Sequence, residues 1–575
     1  MTHTFIPGKD AALETSLDTL KGHIEGLGFN IVEARWLNPA PHIWSVHIRD
    51  RDCPQVFSNG KGATRNAALA SAYGEVLERL ATRYLWADFY LTPAQKTFDF
   101  IHQAEERWFA PETPLDEVLD DVFYQRYGGD DLTLAELGDM NGGDSGRGVC
   151  TLPYVRQRDG NTVNVPVNLI GNMFVSNGMS AGNTRDEAQV QALSEIFERA
   201  VKERIIRDAI TLPEIPADVL ARYPHIQQGM AALEESGFQL RALDASLGGI
   251  YPVISIVLLH PEDGGAYACF GAHPRFDVAL ERTLTELVQG RALDELGGFP
   301  PPTADMDMVT DPHNLELHFI DASGYVSWAL LGETPDVAFS DWDDTRTNAE
   351  LRDSLIALLH DEGHDVYIAE HTQLGAYACR ILVPGFSDIY LPDELKWHNN
   401  NQALPHRTTL FTLADAGVEP WQALLATLED DNVNDQMSVL EWAGIVGDPN
   451  TAWERLRVGE LKLWLLLALG ELEAAFEQLE MVRASGNLVT EDEQRFDALA
   501  SVLELWVAGE DLDNYTRALR FYHGGAFNEA LALVSGETHF PGLNAMNPDA
   551  PTVGHKRLLE GYAKVLNGQL RAAEA

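Results

Sequence analysis

An α+β domain built from repeated strand and helix elements, followed by an all-helical domain of tetratricopeptide-like character, is the fold class this sequence predicts. Three observations predict it. Residues 62–79, GATRNAALASAYGEVLER, and 182–199, GNTRDEAQVQALSEIFER, align without a gap and match at 8 of 18 positions. Strand-like and helix-like stretches alternate over the first 400 residues or so. From about residue 405 only helical patterns remain.

DAALETSLDTLKGHIEGLGF has apolar residues at helical spacing and ends in glycines, predicting a first helix. HIWSVHIRD and PQVFSN have the short, β-branched and aromatic content of strands, and Asn59-Gly60 reads as a turn. GATRNAALASAYGEVLERLATRYLWADFY then predicts one long helix. Residues 103–147, with acidic and proline-containing patches, read as an insertion or surface-exposed subdomain. The strand pattern returns in VCTLPYVRQ and VNVPVNLIGNMFVSNG, followed by a helix from about Thr184 to Asp208. Residues 237–274 read as strands joined by glycine turns, FDVALERTLTELVQGRAL as a helix, LRDSLIALLHDEG as a further helix, and DVYIAE and AYACRILVPG as strands.

The boundary is placed at 404/405, giving domains 1–404 and 405–575, within the two to four that the length suggests. In the second domain, helices meet near Leu469-Gly470 and again near Gly524-Gly525. Such turn-linked pairs fit a tetratricopeptide-like module, although a fixed 34-residue period is weak. Trp464 and its leucine neighbours read as helix core.

Composition removes several function classes. Against 88 acidic residues stand 41 Lys and Arg, a formal net charge of -47, which opposes general attraction to nucleic-acid phosphates. The start, MTHTFIPGKDAALE, lacks an export-signal pattern and no apolar run reaches bilayer-spanning length, so a cytoplasmic protein without membrane attachment is expected. Cys53, Cys150, Cys269 and Cys379 form no C-x-x-C pair, so neither a disulfide framework nor a thiolate cluster is expected; Cys150 is the one worth testing as a nucleophile.

The chemistry lies in the repeated helix. Glu75 and Glu78 are three residues apart and lean from one helix face, as do Glu195 and Glu198. A partial third copy, AHPRFDVALERTLTELVQGR, puts Glu286 in the place of Glu75 if one residue is inserted. Like charges sharing a cleft repel, and a divalent cation reverses that cost while bridging carboxylates to phosphate oxygens. Glu75, Glu195 and Glu286 are therefore the first candidates for Mg2+ ligands, with Glu78 and Glu198 in support. Glu187 lies two turns before Glu195 and extends the face toward a nucleotide. Arg199 and Arg282 are candidate phosphate clamps, and NGMSAGNTR at 177–185 offers backbone amides together with Ser180 and Asn183. No Walker A motif is present. The competing reading is a structural duplication whose E-x-x-E-R motifs are self-paired surface.

GEVLER at 74–79, NGMSAGNTRDEAQVQALSEIFER at 177–199 and ERTLTELVQGR at 281–291, with Lys9 and Ser16 near the start, resemble the YcaO-domain family over nearly the whole chain. The resemblance implies an ATP-binding α+β domain using Mg2+, with Glu75, Glu195 and Glu286 as principal metal ligands supported by Glu78 and Glu198. It implies nucleotide contacts from Lys9, Ser16, Asn183, Glu187, Arg199 and Arg282. For stand-alone bacterial members it implies a role in β-methylthiolation of an aspartate in ribosomal protein S12, the radical chemistry residing in a separate methylthiotransferase. An ATPase accessory to that enzyme, with S12 and the methylthiotransferase as partners and a homodimer left open, is thus the first functional expectation. Amide activation giving an azoline or thioamide is the second; the chain ends GQLRAAEA rather than in the proline-rich tail frequent among azoline-forming relatives, which counts against it. A non-catalytic adaptor is the third.

Overall fold

The computed structural model describes residues 3–91, 98–129, 132–139, 146–392, 403–486 and 490–574. Its central device is a strand whose end packs under the helix that follows it, and it occurs three times. Strand β3 (Phe57–Gly62) leads into helix α2 (Arg65–Ala81), β7 (Met179–Gly182) into α4 (Arg185–Arg207), and β10 (Ala266–Ala272) into α6 (Phe276–Leu287). Thr64 and Thr184 cap α2 and α4, each hydroxyl accepting from a backbone N–H three residues on. The third unit has Arg275 before its first helical residue, so the extra residue inferred from sequence sits in the connecting turn, and Glu286 occupies the same helical position as Glu75 and Glu195.

Asn59-Gly60 is not the expected turn. Both residues lie inside β3, opposite His47 and Val46 of β2 (Ile43–Asp50). The glycine serves close approach: a Cβ at Gly60 would lie 2.0 Å from the Ala68 carbonyl oxygen and 2.5 Å from the Ala72 nitrogen of α2. Gly178, by contrast, does sit in a turn, with φ +75°.

Each unit belongs to its own antiparallel sheet. The first has the order β1-β2-β3, with β1 at Ile31–Ala40; the second runs β10-β9-β8, with β9 at Val253–Leu259 and β8 at Gln239–Asp244. The third runs β4-β5-β11-β12-β7, from Arg107–Phe109, Val149–Arg156, Tyr367–His371 and Tyr377–Leu382 to β7, with β6 (Thr162–Pro166) paired to β5. Helix α1 (Leu13–Gly26) shares a buried core with α2 around Leu17, Ile24, Val76 and Leu80.

Two expected elements are shorter than predicted. The long helix from residue 62 stops at Ala81 because Arg83 takes a left-handed conformation, φ 63°. VNVPVNLIGNMFVSNG is strand only to Pro166 and then coils through Phe174, burying Leu169, Ile170, Met173 and Phe174. Segment 103–147 is not simply a surface appendage: β4 joins the third sheet, and helix α3 (Asp121–Tyr127) buries Phe123 and Tyr127 against Tyr154 and Tyr367. Its residues 130–131 and 140–145 lie outside the described residues.

Beyond residue 403 the described elements are helical. Gly470 and Gly524, both at positive φ, separate the expected pairs, and Trp464 stacks on Phe496 inside the core. The last helix (Val553–Glu574) leaves this bundle: Leu558, Tyr562, Val565 and Leu566 enter the core beneath α1 and α2. Among the described residues no helix is long and apolar enough to cross a membrane.

Candidate functional site

Each of the three repeated helices carries its glutamate in a short side-chain bridge, and Arg282 of α6 reaches Gln191 of α4. Lys61, on the opposite face of β3 from Ser58 and Gly60, pairs with Glu286 of α6. Glu75 accepts from the Ser58 hydroxyl at 3.1 Å and pairs with Arg79 one turn on. Glu195 accepts twice from Arg199, at 2.8 and 3.1 Å. Glu78 is half-buried, and burial, followed by the charges of Glu195 and Glu75, pushes its carboxyl well above the usual carboxylate range. The field of Glu198 is felt by both Lys61 and Lys202. The five candidate carboxylates therefore converge on one region, while three of them hold a basic partner and no three, among the described residues, have oxygens within 4.8 Å of each other.

A second cluster lies at the N-terminus of α4. Glu187 is 3% exposed and takes the Lys9 ammonium at 3.2 Å, the Asp10 N–H at 2.9 Å and the Asn183 side-chain amide at 2.9 and 3.0 Å. Burial opposes ionisation, yet these partners hold the carboxyl below its ordinary range. The Ser16 hydroxyl donates to Asn183 Oδ1 at 2.7 Å. Segment 4–16 is thereby laid over the start of α4, with Gly8 against the His273 ring. His273 accepts the Arg275 N–H at 3.0 Å and closes the turn before α6; burial first, then Arg282 and Lys9, keep the ring neutral.

Lys9, Arg282 and Lys61 thus set basic groups among the acidic ones. Arg282 hydrogen-bonds to Gln191 of α4 and acts on both His273 and Lys61. Arg199 is anchored by the Phe319 carbonyl at 3.4 Å and stacks over the Phe319 ring at 4.3 Å. Glu195 follows Glu187 by eight residues along α4, a rise of about 12 Å, so the two clusters are carried by one helix, one near its start and the other about two turns on.

Ser180 does not join this arrangement. It lies in β7, 1% exposed, opposite Cys379, and its hydroxyl donates to the neighbouring Ala181 carbonyl. Residues 179–182 form a strand paired with β12, and the Met179 N–H donates to the Ser176 carbonyl, so this stretch is not an open loop. Cys150 is likewise unsuited to nucleophilic attack: it is 1% exposed, and burial pushes its thiol well above the ordinary range. Sequence reasoning missed Lys61 and Lys202, whose ammonium groups are each lowered to about 8, chiefly by burial. Lys202 follows Glu198 by one helical turn, and Lys61 stands between two glycines that pack against α2 and leave the lysine on the other face, toward Glu286 of α6; both signals are local and slight.

Residues 59–387 match the family model described as YcaO cyclodehydratase, ATP- and Mg2+-binding, and residues 403–571 match the YcaO cyclodehydratase C-terminal domain. The chain belongs to the YcaO family. Its domain is accordingly an ATP- and Mg2+-binding one, and the hard oxygen donors of the five glutamates are the type of set that Mg2+ accepts. Over 577 aligned residues, covering 98% of each chain, it is 48% identical to an uncharacterized protein of Haemophilus influenzae and 46% identical to the ribosomal protein S12 methylthiotransferase accessory factor YcaO of Escherichia coli. A solved structure of YcaO from Methanopyrus kandleri bound with AMPPCP and Mg2+ matches at 19% identity and TM-score 0.42, covering 67% of this chain and 95% of that one.

Proposed function

We propose that this protein is an ATP-hydrolysing accessory factor that potentiates β-methylthiolation of an aspartate in ribosomal protein S12 by a separate radical methylthiotransferase. The observation that carries this reading is the 46% identity to the E. coli accessory factor across 98% of both chains. In support stands the gathering of five glutamates with Lys9, Lys61 and Arg282 beside them, a charge pattern that suits a metal-bound polyphosphate held in a cleft between α2, α4 and α6.

Glu75, Glu195 and Glu286 would hold Mg2+, with Glu78 and Glu198 completing or orienting the set. Mg2+ there would supply charge neutralisation for the phosphate chain. Lys9, Ser16, Asn183, Glu187 and Arg282 would position the nucleotide, and Arg199, braced by Phe319, would steady Glu195 and phosphate oxygens. Since Lys61 and Arg79 already neutralise Glu286 and Glu75, these cations would have to swing toward phosphate when the carboxylates turn to metal. The C-terminal helices, tetratricopeptide-like in their serial pairing, would present the cytoplasmic partner surface. Deletion of the gene in cells should lower the fraction of S12 peptide carrying the methylthio mass, and restoration by the wild-type chain but not by Glu195→Gln should follow. An unchanged fraction after deletion defeats the proposal.

The family model's cyclodehydratase description favours one second reading, ATP-driven activation of a peptide amide toward an azoline or thioamide. In that reaction phosphate leaves with the amide oxygen, and a peptide substrate would lose the mass of one water or exchange oxygen for sulfur. Mass spectrometry of candidate peptides incubated with ATP and Mg2+ separates the two readings.

A further inference from the structure

Away from the cleft, three residues of different chemistry meet beneath the third sheet. His102 precedes β4, Asp139 follows a short turn of helix at 134–137, and Cys150 lies on β5. They are 8%, 6% and 1% exposed, and one ligand atom from each lies within 4.8 Å of the other two. His102 Nε2 stands 3.9 Å from Asp139 Oδ1, too far for a hydrogen bond, and this buried nitrogen has no hydrogen-bond partner. A buried ring nitrogen left without a partner is costly and calls for explanation. Among the described residues this is the one group of three His, Cys or acidic side chains so placed.

We propose that His102, Asp139 and Cys150 bind a zinc ion. A thiolate, an imidazole and a carboxylate form a mixed set that suits Zn2+ better than Mg2+ or Ca2+, which take oxygen ligands only. Ligand atoms about 2.0–2.3 Å from zinc sit roughly 3.3–3.8 Å apart in a tetrahedron, so the His102–Asp139 separation of 3.9 Å is already close to what zinc needs and the others lie within 4.8 Å. On binding, the Cys150 Sγ–H bond breaks, its proton goes to solvent, and the sulfur lone pair forms the metal bond; no oxidant or reductant is needed. The approach is built for rigidity: Glu106 accepts from the backbone N–H groups of Ile101, His102 and Gln103 and from Trp108 Nε1, fixing the turn that presents His102.

The position gives the ion a structural task. His102 O accepts from Arg83 at the end of α2, and the adjacent Ile101 O accepts from Tyr562 of the last helix. Zinc at this point ties the turn carrying His102 and the turn ending at Asp139 to β5, at the place where the C-terminal helix also attaches. The ion lies apart from the nucleotide cleft, so its presence does not depend on the ATPase reading.

Full-length protein stripped with a chelator and reloaded should hold one Zn2+ per chain by elemental mass spectrometry, and still hold it in a Glu75→Gln, Glu195→Gln double variant. Cys150→Ser should bind zinc at least about 100-fold more weakly and lose the zinc-dependent rise in Tm. Because that variant could fail to fold, Co2+ is added to the stripped wild-type chain as well: a thiolate-to-cobalt charge-transfer band is expected in the near ultraviolet. Absence of that band, or full zinc retention by folded Cys150→Ser, overturns the site.

Discussion

At the scale of single residues, Glu78 is where repulsion in the cleft is most sharply felt. Burial and the neighbouring Glu195 and Glu75 raise its pKa above the value it has in an unfolded chain, about 4.3. A raised folded pKa means that its contribution to stability is fully present below that unfolded value and is lost as pH rises through the folded one. Without divalent cation, the wild-type Tm should therefore fall over that window. Glu78→Gln, which stays uncharged, should show a smaller fall and a higher Tm at neutral pH, together with weaker Mg2+ dependence of ATP binding. Thermal melts across pH check this, and identical pH profiles for the two proteins would remove Glu78 from the cluster. The glutamates were legible in sequence because duplication repeats their spacing. Lys61 was not, because a lysine between two glycines shows no sign of the helix that will bury it, nor of the Glu286 partner supplied from more than two hundred residues away.

At the scale of elements, the strand and helix units explain both what could and what could not be read. The Thr-Arg starts defined the beginnings of α2 and α4 well, since an N-cap hydroxyl and a buried apolar stripe are local properties. Asn59-Gly60 was misread because the same dipeptide serves turns and close helix–strand contact, and only the partner distinguishes them. Gly60→Ala should accordingly destabilise the protein by about 3 kcal/mol or more, since the added carbon meets backbone rather than a movable side-chain tip. Denaturant unfolding measures it, and a loss below about 1 kcal/mol would show that α2 can lift from β3 at little cost. Ser180 illustrates a related point: a run of small and hydroxyl residues looks like a phosphate loop until Ser180 is found buried in β7 opposite Cys379.

At the scale of the whole molecule, chain ends complete the architecture. Segment 4–16 brings Lys9 and Ser16 to the start of α4, and the last helix inserts Leu558, Tyr562 and Leu566 under α1 and α2. Neither long-range return is encoded by a local period, so the sequence indicated helices without indicating where the last would dock. Tyr562→Phe removes the hydroxyl that donates to Ile101 O, and should cost about 1–3 kcal/mol of stability; an unchanged denaturation midpoint would mean that the C-terminal helix is held by apolar packing alone. The central claim is that three equivalent helices bring their glutamates to one Mg2+-dependent nucleotide cleft. Calorimetric titration of ATP into the full chain, with and without Mg2+, tests it most directly in the wild type, Glu75→Gln and Glu195→Gln. The wild type should bind ATP with Mg2+ and much more weakly without it, and each variant should lose at least about tenfold of the Mg2+-dependent affinity, about 1.4 kcal/mol. Wild-type affinity in both variants, with the same response to Mg2+, would contradict the account.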